Sequence, residues 1–346
     1  MRIINAVFSK QNGGLEQASL DYAEALALKG HDITFLLRDH CPFETQARAI
    51  GLLVHVQPNR FGKRDAWAVW QLRRYLQAEQ PDAIFAHGNR AIVLLQKAAH
   101  GICPVIAVNH TTSVKPSLAA DAAIVVNHYQ KQELEADGAA SNRVFVVPNM
   151  VRIEAEHRTA TIPKTLQTPP VIGTLARLSP EKGVGMLLRA LTKLKTRGVA
   201  FRCVIGGHGP LEAELKKQAK KWGLERQVDF IGWVEDRTTF YRNVDVVCVP
   251  SHAETFGIVM LEALLHKRPV VSTHTHGARQ LAGGYDIAQF VPPGDAAALA
   301  DGLQYTLENW PKAKARTQAG FDLAVEKYDI QTVAGYLQQV LDQVTK

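Results

Sequence analysis

Short apolar runs alternate with amphipathic stretches along the whole chain, and that alternation narrows the fold more than any other feature. RIINAVF (2–8), HDITFLL (31–37), LLVHVQP (52–58), DAIFAHG (82–88), PVIAVNH (104–110) and AAIVVN (122–127) read as buried strands, because they are short, β-branched and apolar on both faces. Between them lie helix-compatible segments. In LEQASLDYAEALALKG, for example, Leu15, Ala18, Leu20, Ala23, Leu26 and Ala27 approximate a 3.6-residue period, and Gly30 stands ready to end the helix. Strand–helix–strand repetition predicts an α/β fold, a parallel sheet with helices on both faces.

The alternation stops once, in RIEAEHRTATIPKTLQTPP (152–170), which is polar, contains Pro and lacks a period. It resumes with PVIGTLAR, FRCVIGG, VDFIGW, VDVVCVP and RPVVST as strands. Two doubly wound, Rossmann-like domains follow, 1–160 and 168–327, joined by a linker and facing each other across a cleft. Ligands of such sheets sit beyond the carboxyl ends of the strands, so the cleft is the expected site.

Composition excludes several classes. A hydrophobic fraction of 46% with 21% charged residues is that of a globular chain. No run approaches the 18 or so apolar residues of a membrane span, and the apolar stretch after Met1 is too short for a signal peptide, so a cytoplasmic protein is expected. Cys41, Cys103, Cys203 and Cys248 are widely spaced, which suits reduced core thiols. The net charge of +7 divides into 15 basic against 13 acidic residues before position 151 and 25 against 20 after it. This is too evenly spread for a nucleic-acid module but suits an anionic ligand or an anionic membrane surface.

The segment SHAETFGIVMLEALLHKRPVV (251–271) carries the most chemistry. A helix starting near Phe256 or Gly257 puts Glu254 in the preceding loop and Glu262 about two turns inside. Free N–H groups at the helix start attract an anion, with a carboxylate on either side that can accept from vicinal hydroxyls. A ligand built as sugar, phosphate, sugar fits that order; the competing reading is a pair of ordinary helix-flanking charges. Compensating cations come from GTLARLSPEKGV, where Arg177 and Lys182 follow a strand end. Glycines at strand-to-helix turns, Gly13 and Gly14 in the first half and Gly206, Gly207 and Gly209 in the second, would let backbone approach a diphosphate, although neither group matches a nucleotide-binding fingerprint. His87 and His110 each end an apolar strand of the first domain. His274 and His276 lack the partners of a metal site, so none is expected.

In order along the chain, GGLEQASLDYAEALALKGHDITFL, VFVVPNM, GTLARLSPEKGV, GGHGPLEAEL, FIGW, PSHAETFGIVMLEAL, RPVV and FVPPGDAAALADGL resemble the signature blocks of the retaining glycosyltransferases of family four, whose architecture is termed GT-B. The resemblance implies that Glu262 binds ribose hydroxyls, Glu254 the hydroxyls of the transferred sugar, and Arg177 and Lys182 the diphosphate. It implies further that Phe256, Gly257 and Ile258, with Gly14, offer backbone N–H groups to phosphate, that Ile231 to Val234 hold the base, and that His110 contacts the donor sugar. The segment from about Tyr328 to the end would pack back on the first domain. Met150 and Gln280 depart from the family pattern, which has Gly and Glu there.

The implied activity is metal-independent transfer, with retention, from a UDP- or GDP-type sugar to a glycan or lipid-linked acceptor. The setting would be lipopolysaccharide or other cell-envelope polysaccharide synthesis. The sugar nucleotide is a substrate and no cofactor is expected. The alternatives are a sugar-nucleotide epimerase or hydrolase of the same fold, or a non-catalytic nucleotide-sugar-binding protein. Residues 59–77, NRFGKRDAWAVWQLRRYLQ, set five Arg/Lys against one Asp with Trp67, Trp70 and Leu72 interleaved. They read either as a core-facing helix with a solvated basic side or as a peripheral contact with the cytosolic face of an anionic inner membrane.

Overall fold

Two fully parallel sheets account for the apolar runs. A computed structural model of the chain describes residues 1–9, 14–41, 43–58, 62–110 and 113–346. The first sheet contains β1 (Arg2–Val7), β2 (Asp32–Arg38), β3 (Leu53–Gln57), β4 (Ala83–His87), β5 (Val105–Asn109), β6 (Ala122–Val125) and β7 (Val144–Val146). Its spatial order is β3-β2-β1-β4-β5-β6-β7. The second contains β8 (Val171–Leu175), β9 (Arg202–Gly206), β10 (Val228–Gly232), β11 (Val246–Val249), β12 (Val270–Thr273) and β13 (Gln289–Val291), in the order β10-β9-β8-β11-β12-β13. Both are doubly wound, as the alternation of strand and helix predicted.

In each sheet the chain turns back between neighbouring strands, β1 beside β4 in the first and β8 beside β11 in the second. The loops that leave those strands diverge to opposite faces and open a crevice at the strand ends. The residues that follow β8 are Ala176 and Arg177, and those that follow β11 lead to Glu254. Topology alone therefore brings the two halves of the expected phosphate site together.

Contacts divide the chain into one unit of Met1–Arg152 with Tyr328–Lys346 and a second of Ile153–Lys327. The first unit closes on its own last helix, Ile330–Val344, whose Val333, Ala334, Leu337 and Leu341 join Leu26, Phe35 and Phe85 in one core. Fully burying each such leucine stabilises the fold by about 1.5–3 kcal/mol. The second unit buries Leu187, Leu188, Leu191 and Leu194 of the helix Val184–Thr196 against β8, β9 and β11.

Four points differ from the sequence reading. Residues 152–170 are not without secondary structure: Ala155–Thr159 is a short helix, closed by a reciprocal cap in which the Glu154 N–H donates to His157 Nδ1 at 3.0 Å. The chain also passes to the second unit after Arg152, ahead of residue 160. The strands β7 and β13 stand at sheet edges with three residues each, too short to show a period. Finally, Glu262 is the fifth residue of the helix Ile258–Leu265, hence one turn inside and not two.

Cys203 and Cys248 are fully buried, and burial pushes the Cys203 thiol far above its ordinary range. Among the described residues no helix is long and apolar enough to cross a membrane.

Candidate active site

The second unit assembles its charged groups on two loops that are joined through their backbones. The turn Pro180–Lys182 follows β8, and the loop 250–257 follows β11. His252 N–H donates to Glu181 C=O at 2.8 Å, holding one loop against the other. Gly183 makes that approach achievable. Its φ is +66°, and a Cβ there would lie 1.9 Å from the Pro250 carbonyl oxygen. The result is an ion pair, Lys182 Nζ to Glu254 Oε2 at 2.7 Å, with Ser251 Oγ 3.5 Å from the same oxygen. Both partners are mostly buried, at 28% and 16% side-chain exposure.

Around this pair lie further charges of both signs. Arg177 is exposed one loop residue beyond β8. Ser179 Oγ donates to Glu181 at 2.5 Å, and that hydroxyl first, with Lys182 and Arg177 further on, holds the Glu181 carboxyl below the usual carboxylate range. Beyond Glu254, Phe256 is buried to 1% exposure, so it can offer a ligand only backbone. Gly257 caps the helix Ile258–Leu265 with φ of +101° and no side-chain cap, leaving the first N–H groups, from Ile258 onward, at an uncapped helix start. Gly277 packs beneath: its N–H donates to Glu254 C=O at 2.9 Å, and a Cβ there would lie 2.5 Å from Phe256 N.

Glu262 is anchored rather than free. Its Oε1 pairs with Arg237, and Tyr241 donates its hydroxyl to Oε2 at 2.9 Å. Burial, and next the Glu262 charge, raise the Tyr241 phenol well above its ordinary pKa, so it remains a donor. His266 stacks on Tyr241 with ring centroids 4.6 Å apart and donates Nδ1–H to Glu262 C=O at 2.8 Å. Arg237, Tyr241 and Gly183 escaped the sequence reading.

The remaining positions fall out differently. Gly207 and Gly209 are required by the chain's own packing, since Cβ atoms there would lie 2.0 Å from the Ala176 oxygen and 2.4 Å from the Leu178 oxygen. The backbone of 176–178 thus already approaches these glycines closely. Ile231 is exposed and Val234 half-buried at the β10 edge, where Trp233 N–H already donates to His208 Nε2 at 3.2 Å. Gly14 begins the helix Gly14–Leu28 of the first unit, while Gly13 lies outside the described residues. Met150 is buried in the first core, and Gln280 lies in the helix His276–Ala282.

His87 and His110 belong to the first unit and touch. His87 Nδ1 and His110 Nε2 are 2.9 Å apart, and His87 Nε2 lies 2.8 Å from Asn5 Oδ1. Burial, opposed in part by the nearby Asn149 side chain, pushes His110 down to about 4, and burial holds His87 well below its ordinary value.

Among the described residues one group has metal-ligand types in reach of each other: Glu156, His157 and His266, with candidate atoms within 4.8 Å. The set does not fit an ion. His157 Nδ1 accepts from the Glu154 N–H, so the proton of the neutral ring is on Nε2 and no lone pair remains to offer. His274 and His276 have no place in it.

Within 59–77, Ala66–Glu79 is a helix with a core-facing side, as the first of the two readings expected; Asn59, Arg60 and Phe61 lie outside the described residues. Ala68, Leu72 and Leu76 enter the core, whereas Trp67 and Trp70 are 47% and 53% exposed and Arg74 lies over the Trp70 ring at 5.0 Å.

Comparison with known proteins covers nearly the whole chain. The family model Glycosyltransferase Family 4 matches residues 12–155, and Glycosyl transferases group 1 matches 158–322. Phosphatidyl-myo-inositol mannosyltransferase of Mycobacterium tuberculosis is 28% identical over 96% of this chain and 93% of its own. Among solved structures, Anabaena HepE in complex with UDP-glucose superposes with a TM-score of 0.84 at 21% identity, covering 99% of each chain. The lipopolysaccharide outer core galactosyltransferase WaaB reaches 0.77 at 16% identity over 99% of this chain and 100% of that one.

Proposed function

The chain belongs to the family-four glycosyltransferases, and from that premise we propose that it moves a sugar, with retention, from a nucleotide-diphosphate donor to a glycan or lipid-linked acceptor of the cell envelope. The observation that carries the donor half is the Lys182–Glu254 pair at the switch point of the second sheet, beside exposed Arg177 and the uncapped start of the helix Ile258–Leu265. Cation, carboxylate and helix N–H groups suit a diphosphate that joins two hydroxylated rings.

As the glycosidic bond breaks, negative charge grows on the departing diphosphate. Lys182, Arg177 and the helix start would stabilise it from positions that are already set, so no reorganisation opposes the reaction. The reading assigns this task to protein groups, and turnover unaffected by EDTA is the expected result. Glu254 would hold the transferred sugar and Glu262 the ribose. The departing phosphate itself would take the acceptor's proton on the same face, and His110 is assigned a part in transfer. Ile231 to Val234 would receive the base, of UDP or GDP type.

Support for an envelope setting comes from the mannosyltransferase and outer-core galactosyltransferase to which the chain is similar. Support for peripheral membrane contact comes from the outward Trp67 and Trp70 beside the exposed Arg74, an amphipathic arrangement suited to an anionic interface. Flotation with vesicles that contain or lack anionic lipid tests this, and equal recovery in both would reject it.

The decisive experiment incubates the protein with UDP- and GDP-sugars and an envelope-lipid extract and follows products by intact mass. A product heavier than an acceptor by one glycosyl residue supports transfer. Free or isomerised sugar without such a product would favour a hydrolase or epimerase, and tight donor binding without turnover a non-catalytic binder.

A further inference from the structure

Within the first unit, hydrogen-bond polarity can be followed atom by atom from the sheet to His110. Asn5, in β1, donates Nδ2–H to Ser19 C=O at 2.7 Å. A carbonyl can only accept, so the orientation of that amide is fixed and its Oδ1 faces His87. His87, the last residue of β4, must therefore donate Nε2–H to Asn5 Oδ1 at 2.8 Å. With its proton on Nε2, the neutral ring has a lone pair on Nδ1. That lone pair lies 2.9 Å from His110 Nε2, which must supply the hydrogen.

The geometry is that of a planar relay. The two imidazoles are tilted by only 8° with centroids 5.2 Å apart, side by side. The Tyr22 ring stands edge-on to both, at 4.9 and 5.8 Å, and is itself fully buried. Asn5 and His87 are 0% and 1% exposed, so water does not compete for these bonds.

We propose that Asn5 and His87 are positioning residues that lock His110 in the single neutral tautomer with its proton on Nε2, directed into the first unit. This rests on the reading of His110 as a participant in sugar transfer and deepens it. A ring whose Nε2–H is committed to His87 serves transfer by its fixed place and neutral charge, and it shuttles no proton between acceptor and phosphate. Which nitrogen of a histidine carries hydrogen is set by the partner of the other, and here that partner is set in turn by a backbone carbonyl nineteen positions into the chain.

Nitrogen-15 ring spectra of the full chain test the lock without any substrate. The expected spectrum shows His110 as one neutral species protonated on Nε2 at pH 7.5. His87→Leu removes the acceptor and should convert it to a tautomer mixture. His87→Gln can accept from His110 through Oε1 and donate to Asn5 through Nε2, and should restore the single form. Turnover of the donor selected in the product screen should fall roughly tenfold or more in kcat in His87→Leu, the scale for losing a partner that orients a functional group, with donor KM unchanged and with recovery in His87→Gln.

Wild-type His110 protonated on Nδ1, or an unchanged spectrum in His87→Leu, would overturn the lock. A shifted tautomer with undiminished kcat in a folded His87→Leu would overturn its role in transfer. Because the spectrum needs no donor, failure of the transferase reading and failure of the lock register separately.

Discussion

Gly183→Ala probes how the phosphate loops are held. The backbone at 183 is left-handed, φ +66°, which costs an L-residue about 1–2 kcal/mol. The new methyl would sit 1.9 Å from the Pro250 oxygen and 2.9 Å from the Pro250 carbon, both backbone atoms, so a rotamer change cannot relieve it. Ordinary contact needs roughly 1.5 Å more, and such overpacking adds about 1–3 kcal/mol. Together these predict a loss of about 2–5 kcal/mol, or about 4–20 °C in the Tm of a unit of this size. The displacement separates the turn carrying Lys182 from the loop carrying Glu254, so turnover should fall as far as it does in Lys182→Ala even below the new Tm. Differential scanning calorimetry and single-turnover assays on the same preparation measure both. A variant with wild-type Tm and turnover would refute the claim that the two loops are one mechanical piece.

Arg177→Ala and Lys182→Ala should each lower turnover by about 10²–10³ while the fold persists, as for the loss of one preorganised charge-stabilising group, and near-normal rates in both would remove the diphosphate from this site. Glu262→Ala should weaken UDP or GDP binding by about 1.5–3 kcal/mol, the value of a charged hydrogen bond, and unchanged affinity by calorimetry would take Glu262 out of the ribose site. Stability of the first unit should fall in acid. His110 is held at about 4 against an ordinary 6.5, so between those values the unfolded chain binds a proton that the folded unit refuses; the contribution is intact above pH 6.5 and lost as pH drops towards 4. For His110 alone the loss from pH 7.5 to 5 is about 2 kcal/mol, and urea unfolding of wild type and His110→Gln should differ in pH dependence by that amount; parallel curves would contradict it.

What was legible in the sequence depended on period and on neighbourhood. Eleven strands announced themselves because each is an apolar run long enough to be seen; β7 and β13, at three residues each, did not. Arg177, Lys182, Glu254 and Glu262 could be singled out because each lies beside a strand end or a helix start, and those features survive in one dimension. Arg237 and Tyr241 could not, since they meet Glu262 only after the helix Arg237–Arg242 folds alongside Ile258–Leu265. Gly207 and Gly209 show a second reason for glycine at such a turn. Glycine at a strand-to-helix turn suggests a ligand, yet here the atoms filling the space are the carbonyls of Ala176 and Leu178. Sequence shows that something comes close to a glycine, and only the fold shows what.

Glu254 and Glu262 each already have a cationic partner, and this bears on how a basic chain can use carboxylates to bind a diphosphate ester. An unpaired Glu254 would repel the phosphates, but paired with Lys182 at 2.7 Å it forms a neutral couple. The ammonium has three hydrogens and gives one of them to Glu254, which leaves donors for phosphate; the carboxylate has further lone pairs for sugar hydroxyls. Glu262 follows the same logic, with Arg237 on one oxygen and Tyr241 on the other. Arg177, exposed at the mouth of the loop, then offers a positive charge to the incoming donor. The pairs cost desolvation when the unit folds rather than when the ligand arrives, and that is what lets the site meet a departing diphosphate with its charges in place.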